Sequence, residues 1–301
     1  MRGGRSALVV AVTTAVAVTS ACSSMSTAAS GQLQVVASTD VYADLVRAVT
    51  GDRAQVTAFL DDPSQDPHSF EASPRDQLAI AGADVIVENG GGYDDFVDRL
   101  RAASGEHGAV TIDAVTLSGH VAPAGGELNE HVWYDLPSMR RLVERLVAVL
   151  SAKRPGDSAV FVAGARRFIA GLSDLERVES SIRARYGGTP VAITEPVPVY
   201  LLTACGLVNR TPAQFSAGIE GGGDVSVSVL SHTLDLFDHH AVRTLVYNEQ
   251  TSGAETTRLL AAAAANHIPS VPVTETLPAG ASYLSWMREN LSALQAALAA
   301  T

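Results

Sequence analysis

The segment GDSAVFVAGARRFIAGLSDLERVESSIRARYG, residues 156–187, decides the fold that the sequence predicts. Apolar residues recur at helical spacing from Gly156 to Tyr186, a stretch of roughly 30 residues, which is long for a helix of a globular protein. The segment lies between two blocks in which strand and helix patterns alternate. We therefore predict one long, rigid helix within residues 155–187 that connects two lobes.

On both sides of this segment, short apolar runs rich in β-branched residues alternate with amphipathic helical patterns. Such alternation is typical of α/β lobes with mostly parallel sheets. We predict an N-terminal lobe at residues 33–154 and a C-terminal lobe at residues 188–301. The predicted strands are LQVVAS, QVTAFL, DVIVE and AVTIDA in the first lobe, and TPVAIT, VRTLVYN and SVPVT in the second.

Composition places the chain among globular proteins. It has 301 residues, of which 47% are hydrophobic and 18% charged, and its formal net charge is -11. A hydrophobic fraction of this size is enough to build packed cores. The net negative charge argues against nucleic acid as a partner.

The N-terminus has the features of a secretory signal. Arg2 and Arg5 form a basic region ahead of an apolar stretch at about residues 7–18. This stretch is shorter than the roughly 20 residues that a membrane-spanning helix needs, and small residues follow it. We therefore predict a signal peptide at residues 1–21.

The sequence TSAC at the end of this signal resembles a bacterial lipobox, with Thr19 where that motif usually has Leu. It predicts a lipid anchor on Cys22, followed by a flexible tether over residues 22–32. An ordinary secretory signal cleaved near Ala21 is the alternative. With Cys22 lipidated, Cys205 is the remaining thiol, and its apolar surroundings in the sequence predict a core position and no disulfide.

Ligands of open α/β sheets lie beyond the carboxyl ends of the strands, so residues in the loops at the strand ends are candidate ligands. His68 follows QVTAFL in a proline-rich loop, and His131 precedes a predicted helix. Glu195 follows TPVAIT, and Glu275 follows SVPVT. Two imidazoles and two carboxylates, two from each lobe, suit a divalent metal in the cleft between the lobes. Structural roles also stay open, such as a turn for His68 and packing beside Trp133 for His131.

Several motifs taken together resemble the metal-specific solute-binding lipoproteins of bacterial zinc and manganese ABC importers. The motifs are VVAST, DPHSFEASPRD, NEHVWYD, the long connector, ITEPVPVYLL and VTETLPAGASYLSWMRENLSAL, and they cover nearly the whole mature chain. The resemblance implies two lobes joined by a single long helix, with a metal ion held between them by four ligands. Motif by motif, it assigns these ligand roles to His68, His131, Glu195 and Glu275.

Two positions depart from the family pattern. The last ligand is usually Asp, where this chain has Glu275, and the strand that usually ends in VEP reads VYNEQTS. Glu249 in this strand is therefore the reserve candidate for the fourth ligand. Glu71 is interpreted as a residue that starts a helix or supports a ligand, and not as a ligand itself.

The resemblance implies a receptor that is lipid-anchored to the outside of the cell membrane; a monomer is the default expectation for its oligomeric state. It would capture Zn²⁺ or Mn²⁺ and deliver the ion to the permease of an ABC importer. Carboxylate-rich ligation favours Mn²⁺, whereas the usual affinity order favours Zn²⁺. The loop before His131 lacks the long His-rich stretch of many zinc receptors, which tilts the prediction toward Mn²⁺ without deciding it.

Other functions stay open. The same scaffold suits an iron chelate or another small ligand, although 5% aromatic content leaves few residues to line a broad cleft. A secreted metal-dependent hydrolase would need an open coordination position, and the chain has no H-E-x-x-H or G-x-S-x-G motif. We therefore predict a binding protein and not an enzyme. The glycine-rich residues 218–228 are predicted to form a loop.

Overall fold

The structure is a computed structural model that describes residues 31–62, 70–105, 108–124, 126–251 and 253–300, together with Met1 and Gly4. By its internal contacts the chain divides into two compact units, Met1–Gly31 and Gln32–Thr301. The fold below is that of the second unit. Cys22, most of the predicted signal peptide and His68 lie outside the described residues.

The N-terminal sheet has four parallel strands, β1 (Leu33–Thr39), β2 (Ala54–Leu60), β3 (Val85–Glu88) and β4 (Val110–Asp113). Their order in the sheet is β2-β1-β3-β4. The helices are α1 (Asp40–Thr50), α2 (Pro74–Ala81), α3 (Phe96–Ser104), α4 (Ala114–Ser118) and α5 (Leu136–Lys153). All residues of β3 are buried, as expected for a parallel strand covered on both faces. Ser73 caps α2 and forms a capping box with Asp76, as the SPRD sequence predicts.

A second parallel sheet forms the C-terminal lobe. Its strands are β5 (Pro190–Ile193), β6 (Val208–Asn209), β7 (Leu245–Asn248) and β8 (Ser270–Val273), in the order β6-β5-β7-β8. The helices of this lobe are α7 (Val199–Ala204), α8 (Ala213–Glu220), α9 (Val227–Asp238), α10 (Ala254–Ala265) and α11 (Tyr283–Ala299). The two sheets therefore have the same strand connectivity.

One helix of 29 residues, α6 (Ser158–Tyr186), joins the two sheets. It packs against α1, α5 and α11, and its buried side chains recur at helical spacing: Phe161, Ala165, Phe168, Leu172, Leu175 and Ile182. Two parallel sheets joined by one long helix confirm the predicted fold class. The lobe boundaries at residues 154 and 188 stay predictions. Within the described part of the chain, no helix is long and apolar enough to cross a membrane.

Three short elements were not predicted, namely α4, β6 and α8. The prediction of a loop over residues 218–228 is wrong at both ends, because residues 218–220 belong to α8 and residues 227–228 begin α9. The helix α8 forms because Phe215 and Ile219, one turn apart, both bury in the core beneath the second sheet. The glycines that follow end the helix.

The two lobes share one central core. A single hydrophobic cluster contains strand residues of both sheets, for example Val85 and Val246, together with side chains of α1, α5, α6 and α11. Cys205 also lies in it, fully buried, which confirms the predicted core position and raises the pKa of its thiol to about 12. A shared core of this kind resists separation of the lobes.

Hydrogen bonds also cross between the lobes. The carboxylate of Asp40 in α1 accepts from the Leu277 backbone N at 3.2 Å. The Tyr134 hydroxyl donates to the Thr274 carbonyl oxygen at 2.8 Å. These contacts hold the backbone just before residue 275, at Thr274, and just after it, at Leu277. The position of that segment is therefore fixed from the opposite lobe.

We expect Glu88, at the end of β3, to make stability depend on pH. Burial, and then the nearby charges of Asp94 and Asp98, raise its pKa from 4.5 to about 8. The folded state thus binds a proton that the unfolded state releases as pH rises from about 4.5 to 8, so stability falls across this window. Glu88→Gln removes this loss. Thermal melts should place the variant at least about 2 °C above wild type at pH 8, with no such gain at pH 5; an equal shift at both values would contradict the prediction.

Candidate metal centre

Three of the four predicted ligands are described, and all three are buried. His131 is 0% exposed, and Glu195 and Glu275 are each 3% exposed. The two glutamates follow β5 and β8, so both lie at the carboxyl edge of the same parallel sheet. Glu275 Oε2 lies 3.9 Å from His131 Nε2. The fourth predicted ligand, His68, lies outside the described residues.

Asn129 fixes the orientation of His131. Its Oδ1 accepts from the backbone N of His131 at 3.1 Å and from the ring Nδ1 at 2.8 Å. The neutral ring therefore carries its proton on Nδ1, and the lone pair of Nε2 faces the acidic side chains. Trp133 packs edge-on against the same ring, with centroids 5.0 Å apart, and is itself buried.

Asn129 also links the two halves of the site. The side-chain Nδ2 of Asn129 donates to the carbonyl oxygen of Pro196 at 3.0 Å. The backbone carbonyl oxygen of Asn129 accepts from the Tyr200 hydroxyl at 2.7 Å. Pro196 directly follows Glu195. One side chain thus sets the tautomer of His131 and holds the backbone next to Glu195.

The Glu275 carboxylate is held by polar groups from the adjacent strand β7 and the turn after it. Asn248 Nδ2 donates to Glu275 Oε1 at 2.7 Å, and Gln250 Oε1 accepts from the Glu275 backbone N at 2.5 Å. These contacts leave Oε2 directed toward His131. Burial raises the pKa of the Tyr93 hydroxyl well above its ordinary value, and the charge of Glu275 and a hydrogen bond to Glu275 raise it further.

Glu195 lies in an environment that opposes its negative charge. Burial raises its pKa to about 8, and the charges of Glu220 and Glu275 add to this rise. Its Oε2 is buried and has no hydrogen-bond partner among the residues that the structure describes. A carboxylate placed in this way gains most from a cation.

Glu220, which the sequence prediction missed, lies closer to His131 than Glu275 does. Its Oε1 lies 3.2 Å from His131 Nε2, and its side chain is 15% exposed. Burial alone would lower the pKa of His131, but hydrogen bonding to Glu220 and the charges of Glu220 and Glu275 raise it. Glu130, His131 and Glu220 each offer one potential metal-binding atom, and these atoms lie within 4.8 Å of one another.

Other predicted or competing residues lie elsewhere. Glu249, the reserve candidate, is exposed, since its neighbour Asn248 takes the inward position of the strand. Glu71 is also exposed. His120 stacks on Tyr200 with ring centroids 4.4 Å apart and lies 3.3 Å from Asp135. Their exposure distinguishes Glu249 and Glu71 from the buried His131, Glu195 and Glu275.

The donor set is one that first-row divalent metals prefer. A neutral imidazole nitrogen and carboxylate oxygens suit Mn²⁺, Fe²⁺ and Zn²⁺, with Mn²⁺ favoured by more oxygens and Zn²⁺ by intrinsic affinity. Several buried carboxylates around one imidazole are unfavourable without a further positive charge. The site therefore has the chemistry of a cation site.

Residues 35–297 match the family described as zinc-uptake complex component A, periplasmic (ZnuA). The chain belongs to this family. Among curated proteins, it is 28% identical over 148 residues to the manganese-binding lipoprotein MntA of Halalkalibacterium halodurans, covering 48% of this chain and 47% of that protein. It is 29% identical over 192 residues to the iron ABC transporter substrate-binding lipoprotein MtsA of Streptococcus pyogenes serotype M1, covering 60% and 61%. The chain thus spans about half to three-fifths of the length of these relatives.

Solved structures show the same fold. The substrate-binding protein FpvC of Pseudomonas aeruginosa, in complex with Mn²⁺, superposes with a TM-score of 0.74 at 20% identity, covering 89% of this chain and 99% of that one. A crystal structure of ZnuA gives a TM-score of 0.73 at 17% identity, covering 89% and 98%. These similarities support the two-lobed architecture with its long helix.

Proposed function

We propose that this protein is an extracytoplasmic receptor that binds one divalent transition metal ion, Mn²⁺ or Zn²⁺, and delivers it to the permease of an ABC importer. The proposed ligands are His131, Glu195 and Glu275, with His68 as the fourth on the strength of its sequence motif. Glu249 and Glu71 are not proposed as ligands, since both side chains are exposed.

The observation that carries this proposal is a buried imidazole of fixed tautomer that faces buried carboxylates. Asn129 holds the Nδ1 proton of His131, so in the neutral ring the lone pair lies on Nε2, 3.9 Å from Glu275 Oε2. Glu195 adds a carboxylate whose charge is disfavoured by burial. A divalent cation beside His131 Nε2 would supply the positive charge that these carboxylates lack.

The family and its relatives support the transport part of the proposal. The family is named for a component of a zinc-uptake complex, and the two curated relatives are named as a manganese-binding lipoprotein and an ABC transporter substrate-binding lipoprotein. The TSAC motif supports lipid anchoring through Cys22. The role requires capture and release of an ion, with no covalent chemistry, and so no enzyme activity is proposed.

The fold supports capture without a large opening of the lobes. The shared core and the hydrogen bonds across it hold Leu277 and Thr274, on either side of Glu275, against the N-terminal lobe. We propose that release of the ion involves local movement of the ligand-bearing loops. The site is then rigid enough to select an ion by its preferred geometry.

Metal content tests the proposal directly. The full-length chain, purified in mild detergent, should contain about one equivalent of Mn²⁺ or Zn²⁺ by mass spectrometry and lose it on chelation. Competitive titration with Mn²⁺, Fe²⁺ and Zn²⁺ then identifies the preferred ion. Restoring that ion at 1,000 times its Kd should stabilise the fold by about 4 kcal/mol. An absence of bound metal, with no thermal shift for any of the three ions, would reject the receptor function.

A further inference from the structure

Glu220 occupies a position that is well defined by its backbone. It is the last residue of α8, and the helix end is closed by hydrogen bonds from Gly221 N to the Ala217 carbonyl oxygen at 3.1 Å and from Gly223 N to the Gly218 carbonyl oxygen at 2.9 Å. The buried Phe215 and Ile219 fix the rotation of the helix. The Glu220 side chain is therefore directed into the site by elements that pack elsewhere.

This position is unfavourable for a carboxylate on structural grounds. The C-terminus of a helix is its negative end, where an acidic side chain is destabilised. Glu220 is also mostly buried, with a side chain only 15% exposed. A carboxylate kept at this end of a helix, 3.2 Å from a buried imidazole nitrogen, lies where a cation would bind.

The distance from Glu220 to His131 fits shared coordination. With bonds of about 2.1 Å to a metal, two neighbouring ligand atoms lie about 3.0–3.5 Å apart. The separation of His131 Nε2 and Glu220 Oε1 is 3.2 Å. Both atoms can therefore bind one ion without rearrangement of either side chain.

The number of ligands bears on the choice of ion. The proposed ligands His131, Glu195 and Glu275, with His68 added on its motif, would by themselves match the four ligands of a tetrahedral Zn²⁺ site. A fifth ligand, and a third carboxylate, exceeds what tetrahedral Zn²⁺ takes but suits an ion such as Mn²⁺, which prefers oxygen and a higher coordination number. The extra acid is thus a determinant of specificity.

We propose that Glu220 is a metal ligand supplied by α8, and that its carboxylate shifts the preference of the site from Zn²⁺ toward Mn²⁺. This inference rests on the proposed receptor function, since it assigns a further residue to the same site. Glu220 lies 89 residues beyond His131 in the sequence and outside the four motif positions, and the fold alone brings it to His131.

The test compares Mn²⁺ and Zn²⁺ affinities of the full-length chain with those of Glu220→Gln, which keeps the shape of the side chain and removes its charge. We expect the Mn²⁺ affinity to fall at least about tenfold more than the Zn²⁺ affinity. Glu220→His should favour Zn²⁺ further, because it adds a nitrogen ligand. Glu249→Gln, which removes an exposed charge from the same lobe, is the control and should leave the ratio unchanged.

Co²⁺ absorption gives a second readout. Four-coordinate Co²⁺ absorbs visible light far more strongly than five- or six-coordinate Co²⁺, so Glu220→Gln should intensify the visible bands. Equal losses of Mn²⁺ and Zn²⁺ affinity, with unchanged Co²⁺ bands, would overturn the inference and show that Glu220 only positions His131. Unchanged affinities would overturn it as well. If wild type bound neither ion, the receptor function itself would fail, which is a distinct result.

Discussion

Replacing Glu275 with glutamine is expected to weaken Mn²⁺ binding by about 100-fold or more. Structural Zn²⁺ sites with four ligands are worth about 10–16 kcal/mol in total, or roughly 3 kcal/mol for each ligand, and 1.4 kcal/mol corresponds to a factor of ten. Glutamine preserves the acceptor for Asn248 Nδ2, which donates to Oε1. The substitution therefore removes the negative charge and the anionic Oε2 while the supporting hydrogen bond remains. Isothermal titration with Mn²⁺ measures the loss.

Glu249→Gln is the matched control, because it makes the same chemical change at an exposed residue. We expect its Mn²⁺ affinity to equal that of wild type. Thermal melts of the metal-free proteins show whether each variant is folded. If Glu249→Gln lost affinity and Glu275→Gln retained it, the ligand assignment would be reversed, and the buried carboxylate would have only a structural role.

Most of the fold could be predicted because its signals are local. Strand patterns such as VIVE and the long helical period of residues 158–186 need no tertiary information. The helix α8 was missed because it is short, with Phe215 and Ile219 as its main apolar pair, and because the glycines after it suggested a loop. The pair one turn apart was the available signal, and overlooking it also hid Glu220.

Part of the candidate site could also be predicted from local sequence signals, and part could not. Glu195 and Glu275 could be predicted because the carboxyl ends of parallel strands meet at one edge of a sheet. The role of Asn129 could not, since it depends on contact with Pro196, 67 residues away. Choosing between Glu249 and Glu275 required knowing which side chains near the end of β7 point inward. Asn248 is buried and Glu249, the next residue, is exposed. The sequence showed that side chains alternate between the two faces of the strand, but it did not show which residues face inward.

Gly164 in α6 is expected to be the least replaceable glycine of the connector. A Cβ at this position would lie 2.3 Å from the Val49 carbonyl oxygen and 2.8 Å from that of Ala48. Both are backbone atoms at the end of α1, so relief requires α6 and α1 to move apart. We expect Gly164→Ala to destabilise the protein by at least about 2 kcal/mol and to lower Tm by about 4–8 °C, although alanine favours a helix.

Gly171→Ala is the control within the same helix, because both substitutions gain the same helix propensity of about 1 kcal/mol. A Cβ at Gly171 would approach Leu284 Cδ1 at 2.5 Å, and the end of that side chain can rotate away. We expect its unfolding free energy to stay within about 1 kcal/mol of wild type. The difference between the two variants in denaturant unfolding isolates the contact of α6 with α1. Equal stabilities would show that this close approach does not hold the connector in place.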